Sequence, residues 1–301
     1  MINNKHLLTV CVVTYNHAQT ILKTLKSIAS QKTDIPYIVK IYDDCSDDGT
    51  VIKIKNFFED HKIDHVLFEQ LENLGAVSNF KKAFLGIKTK YFTVIEGDDY
   101  FSCNSRIDMS IKALEKNPDC SISAHNTEII TSEKTLGSNK KTKIVKNFFS
   151  NGLPNEGSRK FSIDTAPYFH FSSRTYRTFP INFESENEFI FLDLFLYYKY
   201  LSLGNVFYID NVMSVYRYNS KGAWSSLSKY QQKYKNIHMY LEMIVYFENK
   251  YDFFFNYITG NSKLLLKLFK TDSFYFLINF SILRKLFSHL IIFYQDRFCK
   301  A

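Results

Sequence analysis

The sequence predicts an α/β fold: a mostly parallel central sheet flanked by helices, with a helical C-terminal extension. Two observations predict it. β-rich runs and segments of helical period alternate through the first 130 residues, the signature of right-handed βαβ crossovers and a parallel sheet. From Tyr230 onward the pattern is helical, very aromatic and increasingly basic.

Leu7–Tyr15 (LLTVCVVTY) is a continuous β-rich run, as in a strand covered on both faces. Asn16 can cap the next helix, in which Ile21, Leu22, Leu25, Ile28 and Ala29 recur at helical spacing to about Gln31. Pro36 restarts the chain, and Tyr37–Tyr42 reads as a second strand that ends in DDCSDDGT. Ile52, Ile54, Phe57 and Phe58 mark a helix, which Asp47 can cap with Gly49 easing the turn. His65–Phe68 is a short strand, Asn73-Leu74-Gly75 a turn, and Val77, Phe80, Ala83, Phe84 and Ile87 another helix. Tyr91–Ile95 is a strand that ends in EGDDY. Ser105 can cap a helix carrying Ile107, Ile111 and Leu114, and Asn117-Pro118 stops it before a strand that begins at Cys120. Residues 131–160 are polar and Lys-rich and read as an excursion or lid; residues 161–225 mix short strands with a helix around Phe189–Leu203.

Composition narrows the function. The chain has 301 residues, 46% hydrophobic and 17% aromatic, which excludes wholesale disorder. The longest uncharged apolar stretch, Ser273 to Leu283, has 11 residues, where a membrane-spanning helix needs about 20. MINNKHLLTV lacks the apolar core and cleavage site of a secretory signal. The five cysteines lie far apart with no C-x-x-C pair, so a disulfide framework is not expected and a cytoplasmic location is. Of the net charge of +8, the last 42 residues hold seven Lys/Arg against two acids. The rest of the chain is close to neutral, which argues against nucleic acid as a partner.

In parallel sheets, ligands sit outside the carboxyl ends of the strands. Both acidic clusters, Asp43–Asp48 and Glu96–Asp99, fall there. No G-x-G-x-x-G follows the first strand, so a dinucleotide fingerprint is absent. In EGDD, three carboxylates within four residues repel one another unless a cation or proton neutralises them. Hard oxygen ligands suit Mg²⁺ or Mn²⁺, which bind few carboxylates together with substrate phosphates. A solvated turn with helix-capping acids is the plainer alternative. DDCSDDGT mimics the start of an EF-hand loop, but its twelfth position is Lys55, where a bidentate Glu is needed. Asp44 is instead a candidate acceptor for a nucleobase N–H.

VCVVTYNHAQTILKTLKSI, YDDCSDDGT, NLG and EGDDYF, in that order and spacing over roughly residues 7–125, resemble the N-terminal half of family 2 glycosyltransferases. The stretch Tyr208–Ser226 looks like a segment of a bacterial subset of that family that builds surface polysaccharide. The resemblance implies a GT-A fold and an inverting transfer from a nucleoside diphosphate sugar, most simply a UDP-sugar, with Mn²⁺ or Mg²⁺. It implies a glycan or lipid-linked acceptor. It implies a catalytic domain over 1–226, with a nucleotide-sugar half (1–125) and an acceptor half (126–226), followed by a helical, basic, aromatic region (227–301).

Carried onto this chain, the resemblance places Thr14, Tyr15, Asn16, Asp43, Asp44, Asn73 and Gly75 around the nucleotide, with Glu96, Gly97, Asp98 and Asp99 at the diphosphate and sugar. Asp98 would hold the metal, and Glu96 stands where the family more often has Asp. The implied base is Asp193 in FIFLDLFLYYKY, an acid in an apolar run, with Glu184, Glu186 and Glu188 as rivals. Asp193 could instead cap a helix or pair with Arg177 or Lys199. Arg217 could grip phosphate through its fork; Trp224, the only Trp, could close over nucleotide or sugar, or serve as ordinary core. His170, Ser172 and Ser173 in YFHFSS are weaker candidates for acceptor contact.

In the tail, Leu264, Leu265, Leu266, Leu268 and Phe269 alternate with Lys263, Lys267 and Lys270, and Leu283, Leu286, Phe287 and Leu290 lie at helical spacing beside Arg284 and Lys285. A basic, aromatic amphipathic helix fits an anionic membrane surface, here the inner face of the cell membrane, or packs on the catalytic domain. Two other function classes use similar acids: a nucleotidyltransferase, which usually needs a Gly-rich basic loop that VVTYNHAQT lacks, and a non-catalytic adaptor on the same fold.

Overall fold

A computed structural model describes residues 5–131, 143–145, 158–163, 165–180, 192–218 and 226–247. The elements in chain order are β1 (Leu8–Thr14), α1 (Ile21–Ala29), β2 (Tyr37–Asp43), α2 (Thr50–Asp60), β3 (His65–Glu69), α3 (Ala76–Leu85), β4 (Tyr91–Glu96), β5 (Tyr100–Phe101), α4 (Arg106–Lys116) and β6 (Cys120–Thr131). There follow β7 (Lys143–Val145), β8 (Arg159–Phe161), a 3-10 turn (Phe171–Ser173), β9 (Arg174–Arg177), α5 (Leu192–Leu201), β10 (Asn205–Tyr218) and α6 (Lys229–Tyr246). They fall into two compact units: one within Met1–Asn187 and Leu192–Ser220, and one that contains α6. Among the described residues, no helix is long and apolar enough to cross a membrane.

The first unit is a single sheet in the order β3-β2-β1-β4-β9-β6-β10-β5, with β7 on β6 and β8 on β10. β3, β2, β1 and β4 are parallel, as the βαβ pattern requires. β6 and β10 form a long second parallel pair. The short β9 joins the two parallel blocks, antiparallel to both β4 and β6. The two parallel blocks therefore run in the same direction, and β9 alone opposes them at the middle of the sheet, beside the first half of β4.

Side-chain alternation builds the two faces. Leu8, Val10 and Val12 of β1 and Val39 and Ile41 of β2 bury against Ile21, Leu25 and Ile28 of α1, Ile54 and Phe57 of α2, and Ile107 and Leu114 of α4. Each such side chain contributes about 1.5–3 kcal/mol by leaving water. On the other face Phe84 of α3 meets Phe92 of β4 edge-on, Phe92 stacks on Tyr176 of β9, and Tyr176 packs on Tyr200 of α5. This two-sided burial explains why β1 and β4 read as unbroken apolar runs.

Three local expectations change. Asn16 does not cap α1; it takes a left-handed φ of 54°, and Thr20 occupies the cap position. At α2 it is Asp48, not Asp47, that accepts the Thr50 N–H, at 3.0 Å. Ser105 sits at the start of α4, but Gln31 Oε1 from the end of α1 accepts the Ile107 N–H, at 3.0 Å. Only at α4 does the acceptor come from a distant segment.

Candidate functional site at the strand ends

The loops after β1, β2 and β4 are tied together at the backbone. Asp44 N–H donates to Thr14 O at 2.9 Å, and Gly97 N–H donates to Val13 O at 2.9 Å. The β1 and β2 loops interlock further. Asn16 N–H donates to Ser46 Oγ at 2.8 Å, Asp47 N–H to Asn16 Oδ1 at 3.0 Å, and Ala18 N–H to Asp48 Oδ2 at 2.9 Å. Cys45, with φ 65°, makes the matching left-handed bend.

This scaffolding sorts the first acidic cluster. Asp43 is buried and spends both oxygens on Ser46, accepting from its N–H at 2.8 Å and its hydroxyl at 2.6 Å. Asp44, also buried, accepts the Leu74 N–H on Oδ1 at 2.8 Å. That bond holds the Asn73-Leu74-Gly75 turn beside the β2 end. Asn73 Oδ1 accepts the Gly75 N–H at 2.9 Å, and Gly75, at φ 82°, opens α3. Tyr15 is 44% exposed at the mouth of the same loops.

Glu96–Asp99 is more crowded. A Cβ on Gly97 would stand 2.6 Å from His17 Nδ1 and from Thr14 Oγ1, so only glycine fits between β1 and β4. Thr20 and Thr24 hydroxyls both donate to Gly97 O at 3.0 Å, and Thr24 also donates to Asp99 O at 2.6 Å. Asp98 is partly open, with His17 Nε2 3.9 Å from its Oδ2. Asp99 is fully buried; Oδ1 accepts the Arg217 N–H at 3.0 Å, and Oδ2 has no hydrogen-bond partner among the described residues, with His170 Nδ1 4.0 Å away. Burial pushes the Glu96 carboxyl up to about 8, with the charges of Asp98 and Asp193 adding to it. Burial, then Glu96 and Asp98, hold the Asp99 carboxyl well above the usual range.

The start of α5 lies near enough to the end of β4 for the charge of Asp193 to raise the Glu96 carboxyl. Asp193 pairs with neither Arg177 nor Lys199. Tyr168 donates its hydroxyl to Asp193 Oδ2 at 2.6 Å, and Arg174 Nη2 lies 3.7 Å from the same oxygen. Arg174 Nη1 also donates to Asp193 O at 2.9 Å.

The YFHFSS candidates point inward. Ser173 donates to His170 O at 2.7 Å, Ser172 Oγ lies 3.3 Å from Ser214 Oγ, and both serines are buried. His170 Nδ1 contacts Ser172 Oγ at 2.8 Å, and its ring lies 4.4 Å from that of Tyr216. Burial, with Arg174 nearby, pushes the His170 imidazole down to about 3, so it is neutral at physiological pH. Arg217 reaches the site by its backbone; its guanidinium stands 5.2 Å from the Tyr100 ring, and its buried Nε has no partner among the described residues. Trp224, Glu184, Glu186, Glu188 and the stretch 260–301 lie outside the described residues.

Sequence reasoning missed His17, Tyr168 and Arg174. His17 lies inside the VTYNHAQT motif and could have been found there. Tyr168 and Arg174 carry no local signal, because only the fold brings β9 to α5.

Among the described residues, no three His, Cys, Asp or Glu side chains form a metal cage by themselves. The donor set still fits a hard divalent cation. Such ions take one or two carboxylates and leave positions for phosphate oxygens. Asp98 is accessible, and the buried carboxyls of Glu96 and Asp99 beside it are raised first by burial and then by one another's and Asp98's charge, which a cation at Asp98 would offset.

A family model described as Glycosyl transferase family 2 matches residues 9–182. The chain belongs to glycosyltransferase family 2. Its sheet is that of the GT-A fold, found in solved structures such as S. aureus TarS 1-349 in complex with UDP-GlcNAc, at TM-score 0.54 and 17% identity over 79% of this chain and 66% of that one. A mannosyltransferase from Pyrobaculum calidifontis, in complex with GDP-Man and Mn2+, is similar at TM-score 0.52 and 14% identity over 80% and 65%. Among curated relatives of this family 2 chain, an uncharacterized protein of Mycobacterium tuberculosis is 23% identical over 231 residues, 75% of this chain. The chain spans 63% of the length of that relative. An uncharacterized glycosyltransferase of Mycoplasma pneumoniae is 35% identical over 105 residues, 34% of each chain.

Proposed function

We propose that this family 2 protein is an inverting, metal-dependent glycosyltransferase. It moves a sugar from a nucleoside diphosphate sugar, a UDP-sugar in the first instance, to a hydroxyl of a glycan or lipid-linked oligosaccharide in bacterial surface polysaccharide synthesis. The observation that carries the reading is the meeting of two acid groups from distant parts of the chain. Glu96–Asp99 at the end of β4 lies close enough to Asp193 on α5 for the charge of Asp193 to raise the Glu96 carboxyl. One group suits a donor diphosphate with its cation, the other the acceptor.

Thr14, Tyr15 and Asp44 bind the nucleoside at the β1 and β2 loops, with Asp44 Oδ2 accepting a base N–H. Asp98, with donor phosphate oxygens, would hold Mn²⁺ or Mg²⁺; such an ion supplies positive charge against the diphosphate that departs. Arg217 and Trp224 complete the donor side. Asp193 accepts the proton of the acceptor hydroxyl through Oδ1, the oxygen that Tyr168 and Arg174 leave free. The acceptor oxygen bonds to C1 as the C1–O bond to the diphosphate breaks, and a single in-line displacement inverts the anomeric centre. The closed hydrogen-bond set of Ser172 and Ser173 makes them supports of the acceptor side rather than contacts. The catalytic part is 1–226; the basic, aromatic 260–301 stretch of the C-terminal region brings it to anionic lipid at the inner face of the membrane.

Release of nucleoside diphosphate from a panel of UDP- and GDP-sugars with Mn²⁺ tests the reading. Turnover lost in EDTA and in Asp98→Asn is the expected result. Pyrophosphate release from a nucleoside triphosphate, or no turnover at all, would replace it with one of the other two classes. Sedimentation of the full chain with liposomes should need anionic lipid and weaken with salt.

A further inference from the structure

Arg174 is fully buried at the start of β9, and a buried guanidinium persists only where anions and acceptors surround it. Among the described residues its one ion pair is with Asp193. Two of its other three bonds serve the same end of α5, and the third holds the loop that carries Tyr168. Nη1 donates to Asp193 O at 2.9 Å, Nη2 to the Tyr168 hydroxyl oxygen at 3.2 Å, and Nε to His170 O at 3.3 Å. The rings of Tyr168, Phe171 and Tyr197 enclose the guanidinium at 5.0, 5.2 and 5.0 Å. By occupying an acceptor position on the Tyr168 oxygen, Arg174 turns that hydroxyl proton toward Asp193 Oδ2, 2.6 Å away.

The result is asymmetric. Oδ2 carries both the Tyr168 bond and the guanidinium, while Oδ1 has no partner among the described residues. The carboxylate is 33% exposed, at the margin between core and solvent. An acid whose only task was to neutralise Arg174 would be expected to turn both oxygens to the fork, the bidentate geometry that Arg–carboxylate pairs favour. We propose that Arg174 and Tyr168 are positioning residues that fix the orientation of Asp193, with Oδ2 clamped and Oδ1 presented to the attacking hydroxyl. The proposal rests on the reading of Asp193 as the base. It adds the device that holds this acid in one orientation at the start of α5.

The test measures nucleoside diphosphate release from UDP-GlcNAc, UDP-glucose, UDP-galactose and GDP-mannose, each with Mn²⁺, and follows the best donor in the full chain. Phe at 168 keeps the ring and removes the hydroxyl; Lys at 174 keeps the charge and removes the fork. Thermal melting confirms that each variant folds. Asp193→Asn should lower kcat by roughly 10²–10⁴-fold. Tyr168→Phe should lower kcat by about tenfold with donor KM unchanged, the size expected for one hydrogen bond to a charged group. Placed in the Asp193→Asn background, Tyr168→Phe should cost nothing more, because both changes act on one proton transfer. Arg174→Lys should show the same KM-against-kcat split.

Wild-type kcat in Tyr168→Phe, or losses that multiply in the double variant, would overturn the positioning role while Asp193 stands. Full kcat in Asp193→Asn, or no turnover of any donor by the wild type, would instead overturn the reading of the site itself.

Discussion

Replacing Glu96 with Gln isolates the electrostatic cost of gathering acids at one sheet edge. Burial, Asp98 and Asp193 together raise the Glu96 carboxyl from 4.5 to about 8. The folded protein then keeps a proton that the unfolded chain gives up above about pH 4.5. Between those two values the unfolded state binds fewer protons, so stability falls as pH rises. The cost is absent below pH 4.5 and complete above about pH 8. At ~1.4 kcal/mol per pH unit, the full shift corresponds to about 5 kcal/mol. Glu96 is only half-buried, and water screens part of this, so about 3 kcal/mol is the expected size. Gln has nearly the same shape and does not titrate. In EDTA, calorimetric melting of Glu96→Gln should match wild type near pH 5 and exceed it at pH 8 by roughly 5–10 °C. Addition of Mn²⁺ and UDP at pH 8 should narrow the gap, since positive charge at Asp98 relieves the same repulsion. Parallel pH profiles for the two proteins would refute the reasoning, because they would mean that Glu96 is charged in the folded state at no cost.

Gly97→Ala drives a methyl against Thr14 and His17 and should cost about 1–3 kcal/mol in urea unfolding, with weakened UDP binding. Asp98→Asn should leave the unfolding midpoint within about 0.5 kcal/mol of wild type, because the side chain is partly open, yet abolish Mn²⁺-dependent heat in UDP titrations. Asp44→Ala leaves the Leu74 N–H without its acceptor and should weaken UDP binding about tenfold in the same titration.

Much of the fold was legible because it depends on short periods. β1, α1, β2 and β4 could be read from unbroken apolar runs and helical spacing, and the end of each parallel strand located both acid clusters. Roles within those clusters were not legible. Asp43, Asp44 and Asp48 are chemically alike in the sequence; partners thirty residues away separate them, Asn16 and Ala18 binding the Ser46–Asp48 turn and Leu74 binding Asp44. β9 could not be read either. Arg174–Arg177 is four residues long and owes its place to β4 on one side and β6 on the other. The clamp on Asp193 depends on that placement, so it was hidden for the same reason.

Asp99 joins the loop after β4 to β10 within the first compact unit. Its backbone belongs to the donor-side loop, with its carbonyl held by Thr24 of α1. Its carboxylate faces the other half and accepts from Arg217 of β10. Burial and the neighbouring acids favour a proton on it, and the oxygen left for that proton is Oδ2, the one without a partner. A cation held by Asp98 would lower the cost of releasing this proton, because it would offset the like charges that help to retain it. Charge beside Asp98 would thereby be linked to the strength of the bond that fixes β10, since an ionised carboxylate accepts the Arg217 N–H more strongly than a neutral acid does. Asp99 thereby ties the loop after β4, through Thr24, and β10, through Arg217, to one buried side chain.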